Sequence, residues 1–288
     1  MKKIFSFIFK IGIKLFSKTR IGEIYPVVFV YRHLHKYLKS DFSLVQGHKM
    51  LLDEKDSLRL SIMGVYEPFQ TELVEKYIKK GDVVLDIGAN IGYYTLLFAK
   101  LVGEKGKVFS FEPDPKNFSI LKKNVKLNNY NNVSAICSAV SDKKEKLVLY
   151  LSSENKAHHT IFNSGDSSNY LEIDSVSLDE YFKNFTININ FIKIDVEGAE
   201  HKVLKGMNSL LSKNKNVRII TEFSPGWLMK CGIEPKKYLE ELNSLGFKFW
   251  DIDEKKKNIL FITKEELLKK YHPNRRIHTN ILCIKEEK

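Results

Sequence analysis

Val83-Val84-Leu85-Asp86-Ile87-Gly88-Ala89-Asn90-Ile91-Gly92-Tyr93-Tyr94-Thr95 joins two apolar runs through a loop bearing two glycines. The first run is short and aliphatic, and it reads as a buried strand. The second, Tyr93 to Val102, reads as a helix. Gly88 lets the backbone turn sharply and a ligand approach closely, because it has no Cβ. Gly92 lets the helix sit close to the strand. The helix N-terminus then offers unpaired N–H groups to an anionic ligand group. Twenty residues past Gly92, Glu112 ends the next predicted strand in Phe111-Glu112-Pro113. A carboxylate at that strand end can accept both hydroxyls of a ribose.

The glycine spacing narrows the ligand. A dinucleotide loop is G-x-G-x-x-G, with glycines crowding a pyrophosphate. Here it is G-x-x-x-G with Asp86 just ahead, and Ala89 and Asn90 stand where the middle glycine would be. That pattern favours an adenosine carrying an amino-acid tail over a dinucleotide.

Outward from this stretch, strand and helix patterns alternate. Strands are predicted at Val83–Ile87, Lys107–Glu112, Val133–Ala139, Phe191–Asp195 and Val217–Phe223. Helices are predicted at Glu67–Lys79, Tyr93–Val102, Pro115–Asn128, Glu200–Leu211 and Pro235–Leu245. Short apolar strands separated by helices imply an α/β fold, a mostly parallel sheet with helices on both faces. Lys49–Asp53 and Ser57–Ser61 read as short strands ahead of it. Leu147–Leu151 and Glu172–Val176 read as an inserted hairpin, bridged by Ser152 to Tyr170. The tail from Phe247 onward is expected to add antiparallel edge strands. The organisation is therefore an N-terminal segment, 1–40, and one domain, 41–288. Its cofactor-binding half spans about 81–145 and its inserted hairpin about 146–176, with edge strands after 246.

Charge and cysteine usage exclude several classes. The net charge is +12, but it sits at the ends. Residues 1–40 carry +8, residues 254–288 carry +5 and the middle −1. A protein that tracks phosphates needs a basic stripe on its binding face, so nucleic acid is not expected as a partner. Met1 to Arg20 forms a basic amphipathic pattern, with Lys3, Lys10, Lys14 and Lys18 on one side. It is too short in apolar length to span a bilayer. It fits peripheral contact with an anionic membrane surface, or packing on the protein's own core. Cys137, Cys231 and Cys283 are far apart and form no CxxC pair. That pattern fits a reducing, cytoplasmic setting.

Several motifs together resemble the FkbM family of methyltransferases. They are Tyr66-Glu67-Pro68, Gly81-Asp82, the Asp86–Thr95 loop, Phe111-Glu112-Pro113, Leu178-Asp179-Glu180 and Ile192-Lys193-Ile194-Asp195-Val196-Glu197-Gly198-Ala199-Glu200. The resemblance runs from about Lys49 to about Phe223. It implies a Rossmann-like, class I fold with a seven-stranded sheet and S-adenosyl-L-methionine as cofactor. It implies methyl transfer to a hydroxyl of a small molecule or glycan. By position, Asp86, Gly88, Ala89, Asn90 and Gly92 would line the methionine end, with Glu67 nearby. Glu112 would take the ribose, and Ser138, Ala139 and Val140 would border the adenine.

A hydroxyl acceptor benefits from a base. Candidates at the strand ends are Asp195, Glu197, His201 and Glu222. Asp195 ends a buried strand and reads as base, with a helix N-cap as its bland alternative. Asp195 and Glu222 are expected to converge, but no third ligand accompanies them, so no metal site is expected. Glu197 reads as a substrate contact or a helix-dipole partner. His201 has the titration range of a proton carrier. His158 and His159 sit in the polar bridge, and Trp227 follows Ser224-Pro225-Gly226. These three read as solvated or core residues. The rival readings are a nicotinamide-dependent oxidoreductase, a membrane-associated module without catalysis and a nucleic-acid methyltransferase. The missing third glycine opposes the first, the intact Asp195 and Glu112 the second, and the balanced core charge the third.

Overall fold

The computed structural model describes residues 42–151, 160–162, 169–272 and 278–285. The readings of residues 1–20 and of His158 and His159 lie outside them.

The strands in chain order are β1 (Ser43–Val45), β2 (His48–Met50), β3 (Val83–Ile87), β4 (Lys107–Phe111), β5 (Val133–Ile136), β6 (Ala139–Val140), β7 (Lys146–Tyr150), β8 (Tyr170–Val176), β9 (Phe191–Ile194), β10 (Arg218–Phe223), β11 (Phe247–Asp253), β12 (Asn258–Ile262) and β13 (Thr279–Lys285). The helices are α1 (Leu60–Met63), α2 (Pro68–Tyr77), α3 (Tyr93–Val102), α4 (Pro115–Leu127), α5 (Leu178–Tyr181), α6 (Glu200–Lys205), α7 (Asn208–Lys213), α8 (Pro225–Lys230), α9 (Pro235–Ser244) and α10 (Lys264–Lys270).

The main sheet has eight strands in the order β12-β11-β13-β10-β9-β3-β4-β5. β10, β9, β3, β4 and β5 are mutually parallel. β13 pairs antiparallel to both β10 and β11, and β12 pairs antiparallel to β11. Seven strands match the expected frame, and the hairpin strand β12 adds an eighth at the edge.

Alternation along the strands splits the core in two. Leu85, Ile87, Ile192 and Ile194 join one cluster, beneath α5, α7, α9 and α10. Val84, Phe191 and Ile220 join the other, beneath α2 and α3. The central strands are therefore buried on both faces, as a continuous apolar run demands.

Three local expectations are corrected, and one helix is added. The predicted helix Glu200–Leu211 is two helices, α6 and α7. A Cβ on the intervening Gly206 would stand 1.9 Å from the Ser141 carbonyl oxygen. The Gly206 carbonyl accepts from the Asp179 N–H (2.8 Å) and the Ser177 hydroxyl (3.0 Å). Tertiary contacts thus claim the groups that a continuous helix would use. The predicted strand Val133–Ala139 divides into β5, in the main sheet, and β6, in a three-stranded sheet of order β6-β8-β7. Ser57–Ser61 is not a strand. Its Ser57 N–H and hydroxyl are held by Asp53 and its Ser61 N–H by Asp56, which leads into α1. Helix α8, opened by Pro225, was not anticipated.

Candidate active site: a cleft at the carboxyl ends of the strands

The β3–α3 loop builds one wall of a cleft. Gly88 has φ +83°, and a Cβ there would lie 1.8 Å from the Asp195 carbonyl oxygen. Only glycine lets the loop cross the end of β9 so closely. The N–H groups of Gly88 and Ala89 donate to the Phe111 carbonyl (3.0 Å each), pinning the loop to β4. Asn90 also lies in the left-handed region, at φ 51°. Its N–H donates to Glu112 Oε2 at 2.7 Å. Gly92 serves packing, though its neighbour is not the strand. A Cβ on it would meet Leu121 of α4 at 2.5 Å.

Glu112 is buried beside this loop. Its Oε1 accepts from the Asp114 N–H (2.9 Å). Burial pushes its carboxyl up to about 8, against the pull of the two N–H donors from Asp114 and Asn90. Asp114 in turn caps α4, accepting from the Lys116 N–H at 2.8 Å.

The cleft is lined by Gly88, Asn90, Glu112, Ser138, Ala139, Val140, Asp195 and Glu197, all singled out in the sequence. Asn117, on the first turn of α4, also lines it, as do Leu149 and Ile161 from the insert. Those three were missed. Asn117 follows an Asp-Pro helix start next to the ribose acid, the only hint available. Leu149 and Ile161 reach the cleft by tertiary folding alone. The insert is tied down where the Thr160 hydroxyl donates to the Glu197 carbonyl (3.0 Å). The Ser138 hydroxyl is already committed to the Asp174 carbonyl (2.9 Å).

Asp86 lies beneath the loop rather than in the cleft. Thr95 donates to it at 2.6 Å, and burial raises its carboxyl to about 6. Its role is to fix α3 to β3.

Next to Asp195 lies a charged cluster of Lys193, Glu67 and Glu222, none of which lines the cleft, so Glu67 does not reach the cofactor side, contrary to expectation. Lys193 is buried, with its ammonium 2.7 Å from Asp195 Oδ2 and 4.6 Å from the Tyr94 ring centroid. Burial opposes its charge, but Asp195, Glu67 and Asp86 outweigh burial and leave its pKa raised. Glu67 accepts from the Tyr94 hydroxyl (2.9 Å) and the Asn280 amide (3.0 Å). Burial raises the Glu67 carboxyl, and Lys193 opposes that rise. Burial likewise lifts Glu222, helped by Glu200, Glu197 and Asp195. Asp195 and Glu222 thus share one electrostatic neighbourhood, although Glu222 does not line the cleft. Glu197 holds φ 51°, which a non-glycine residue rarely adopts. Asp195 does not cap the following helix; the N-cap is Ala199.

His201 is corrected. It does not line the cleft. Its ring is buried 6.3 Å from that of Phe162. Burial, with Lys205 and Lys202, lowers its pKa to about 4, so it is neutral at physiological pH. The first-turn position that suggested access instead turns the ring under the insert. Among the described residues, no group of three or more His, Cys, Asp or Glu is arranged to hold a metal. No described helix is long and apolar enough to cross a membrane.

A glycine loop on a central parallel strand, a buried acid ending the next strand and antiparallel strands closing one edge define a class I, S-adenosylmethionine-dependent methyltransferase fold. The sequence profile of the Methyltransferase FkbM domain matches residues 86–249, and the chain belongs to that family. The hexuronic acid methyltransferase AglP of Haloferax volcanii is 31% identical over 160 residues, covering 55% of this chain and 60% of that protein. Methyltransferase 1 of Beauveria bassiana is 27% identical over 145 residues, covering 43% and 58%. The chain thus spans about three-fifths of the length of these relatives. Among solved structures, the FkbM methyltransferase of Methylobacillus flagellatus superimposes with a TM-score of 0.42 at 14% identity, covering 82% of this chain and 56% of that one.

Proposed function

We propose that this chain transfers the methyl group of S-adenosylmethionine to a hydroxyl oxygen of a sugar unit in a glycan, glycolipid or polysaccharide. One observation carries the reading. A single cleft is lined by Gly88, Asn90 and Glu112 together with Asp195. The residues suit the cofactor. Glu112 keeps one oxygen on each of two backbone N–H groups and faces the cleft, so each oxygen retains a lone pair for a ribose hydroxyl. Phe111, Val140, Leu149 and Ile161 offer apolar surface for the adenine. The bound cofactor supplies an activated methyl on a good leaving group.

What remains for the protein is alignment, exclusion of water and proton removal. Asp195 Oδ2 is held by Lys193, which fixes the carboxylate for its role as base. Glu197 lines the same cleft and serves as the contact to the acceptor in this reading. A sugar acceptor draws support from AglP, named as a hexuronic acid methyltransferase. The basic pattern of residues 1–20 suits peripheral contact with an anionic membrane, where a lipid-linked glycan would be met.

The test is incubation of purified protein with methyl-labelled S-adenosylmethionine and a panel of glycans. Label should enter an acceptor hydroxyl in the wild type and not in Asp195→Ala. Label appearing only on amines or proteins would contradict the sugar-hydroxyl reading. Vesicle flotation separates the membrane part. The full chain should bind anionic vesicles more strongly than a chain lacking residues 1–20, and equal binding would refute it.

A further inference from the structure

We infer that the outer edge of β12 is a self-pairing surface, on which a second copy of this chain docks antiparallel and extends the sheet across a two-fold axis. Among the described residues β12 pairs only with β11. Among the described residues nothing pairs with the N–H and C=O groups of its other side, the template on which another strand adds. Folded proteins blunt such edges with charges, prolines or bulges. Asn258-Ile259-Leu260-Phe261-Ile262 has no charge and no proline. Instead Leu260 is 52% exposed and Phe261 57%. Adjacent strand residues point to opposite faces, so both faces of this edge are greasy. Helix α10 runs beside this edge and leaves a shallow groove lined by Leu260, Phe261, Glu266 and Lys269, and the edge of the Phe261 ring meets Trp250 at 5.6 Å between centroids.

The flanking charges select the occupant. Lys255 and Lys256 precede the strand on an exposed turn, and Glu265 and Glu266 follow it on the exposed first turn of α10. The Lys256 side chain, 74% exposed, lies 3.8 Å from Asp253, and that of Glu265, 71% exposed, lies 3.7 Å from Lys264, so what faces a partner is the excess of one lysine on the turn 253–257 and of one acid on 263–266. Antiparallel pairing about an axis near Leu260 and Phe261 sets the start of one strand beside the end of its partner. The lysine turn of each copy then meets the acidic turn of the other at both ends of the interface. Parallel pairing would set like charge against like. A second copy thus supplies a strand, an apolar cover for Leu260 and Phe261 and the matching charge pattern together, as an isologous two-fold interface requires.

Sedimentation equilibrium of the full chain at micromolar concentration tests this. The wild type should have the mass of a dimer. The double variant Leu260→Lys, Phe261→Lys should be a monomer that still gains thermal stability from S-adenosylhomocysteine. A monomeric wild type, including one whose edge is covered by its own terminal segment, would overturn the proposal. So would a dimer that persists in the double variant. Should that variant fail to fold, Lys255→Glu, Lys256→Glu alters only the exposed turn. It should weaken dimerisation about tenfold at low salt, with the difference shrinking as salt rises. Unchanged dimerisation in that variant would also overturn it.

Discussion

The Asn90 N–H donates to Glu112 Oε2 at 2.7 Å, joining the turn after β3 to the acid at the end of β4 before any ligand enters. The left-handed backbone of Asn90, φ 51°, points this N–H at the acid. The nucleoside cradle is therefore preorganised, and cofactor binding does not have to order it.

The fit of Gly88 against the Asp195 carbonyl makes the loop intolerant of any side chain. Gly88→Ala should lower stability by about 2 kcal/mol or more, since a positive φ alone costs an alanine about 1–2 kcal/mol and the contact is with backbone. Urea denaturation measures this, and the same variant should lose S-adenosylhomocysteine binding. Wild-type stability with full binding would show that the loop does not cross β9 as described.

Asp195→Ala should retain cofactor affinity while turnover falls about 10²–10⁴-fold, the range of a lost general base. Lys193→Met should also lower kcat more than it raises KM, because Lys193 holds Asp195 Oδ2 and does not line the cleft. Its removal strands buried acids, so a stability loss of about 3 kcal/mol should accompany it. Full activity in Asp195→Ala would remove that residue from the chemistry.

Ligand-free protein should lose stability as pH rises. Burial lifts Glu112 to about 8, Glu200 to about 7 and Asp86 to about 6. In the unfolded chain these groups titrate near their ordinary values. Between the two ranges the folded state binds more protons, so the contribution is complete below the ordinary carboxyl range and vanishes as pH rises through about 8. Tm should fall by about 5 °C or more from about pH 5 to about pH 8. Glu112→Gln should flatten that slope. A Tm that rises across this window would contradict the burial of these acids in the folded protein.

Much of the site was legible because local chemistry wrote it. Gly88, Asn90 and Glu112 sit on a strand–turn–helix whose pattern is contained within one stretch of chain, and Asp195 ends a visibly buried strand. What was hidden depends on distant contacts. β13 enters between β10 and β11, a pairing that no periodicity records. The break at Gly206 comes from Ser141, Ser177 and Asp179. The cleft residues Leu149 and Ile161 are brought in by the insert. His201 has the chemistry of a catalytic residue, but Phe162 and burial set its surroundings.

Calorimetric titration of S-adenosylhomocysteine into wild type and Glu112→Ala tests most directly whether a nucleoside is gripped between the Asn90 turn and the Glu112 carboxyl group. One site per chain is expected in the wild type. The variant should bind about 5–150-fold more weakly, the range for losing two hydrogen bonds worth about 0.5–1.5 kcal/mol each. No binding to folded wild type, or equal affinity in the two proteins, would contradict it.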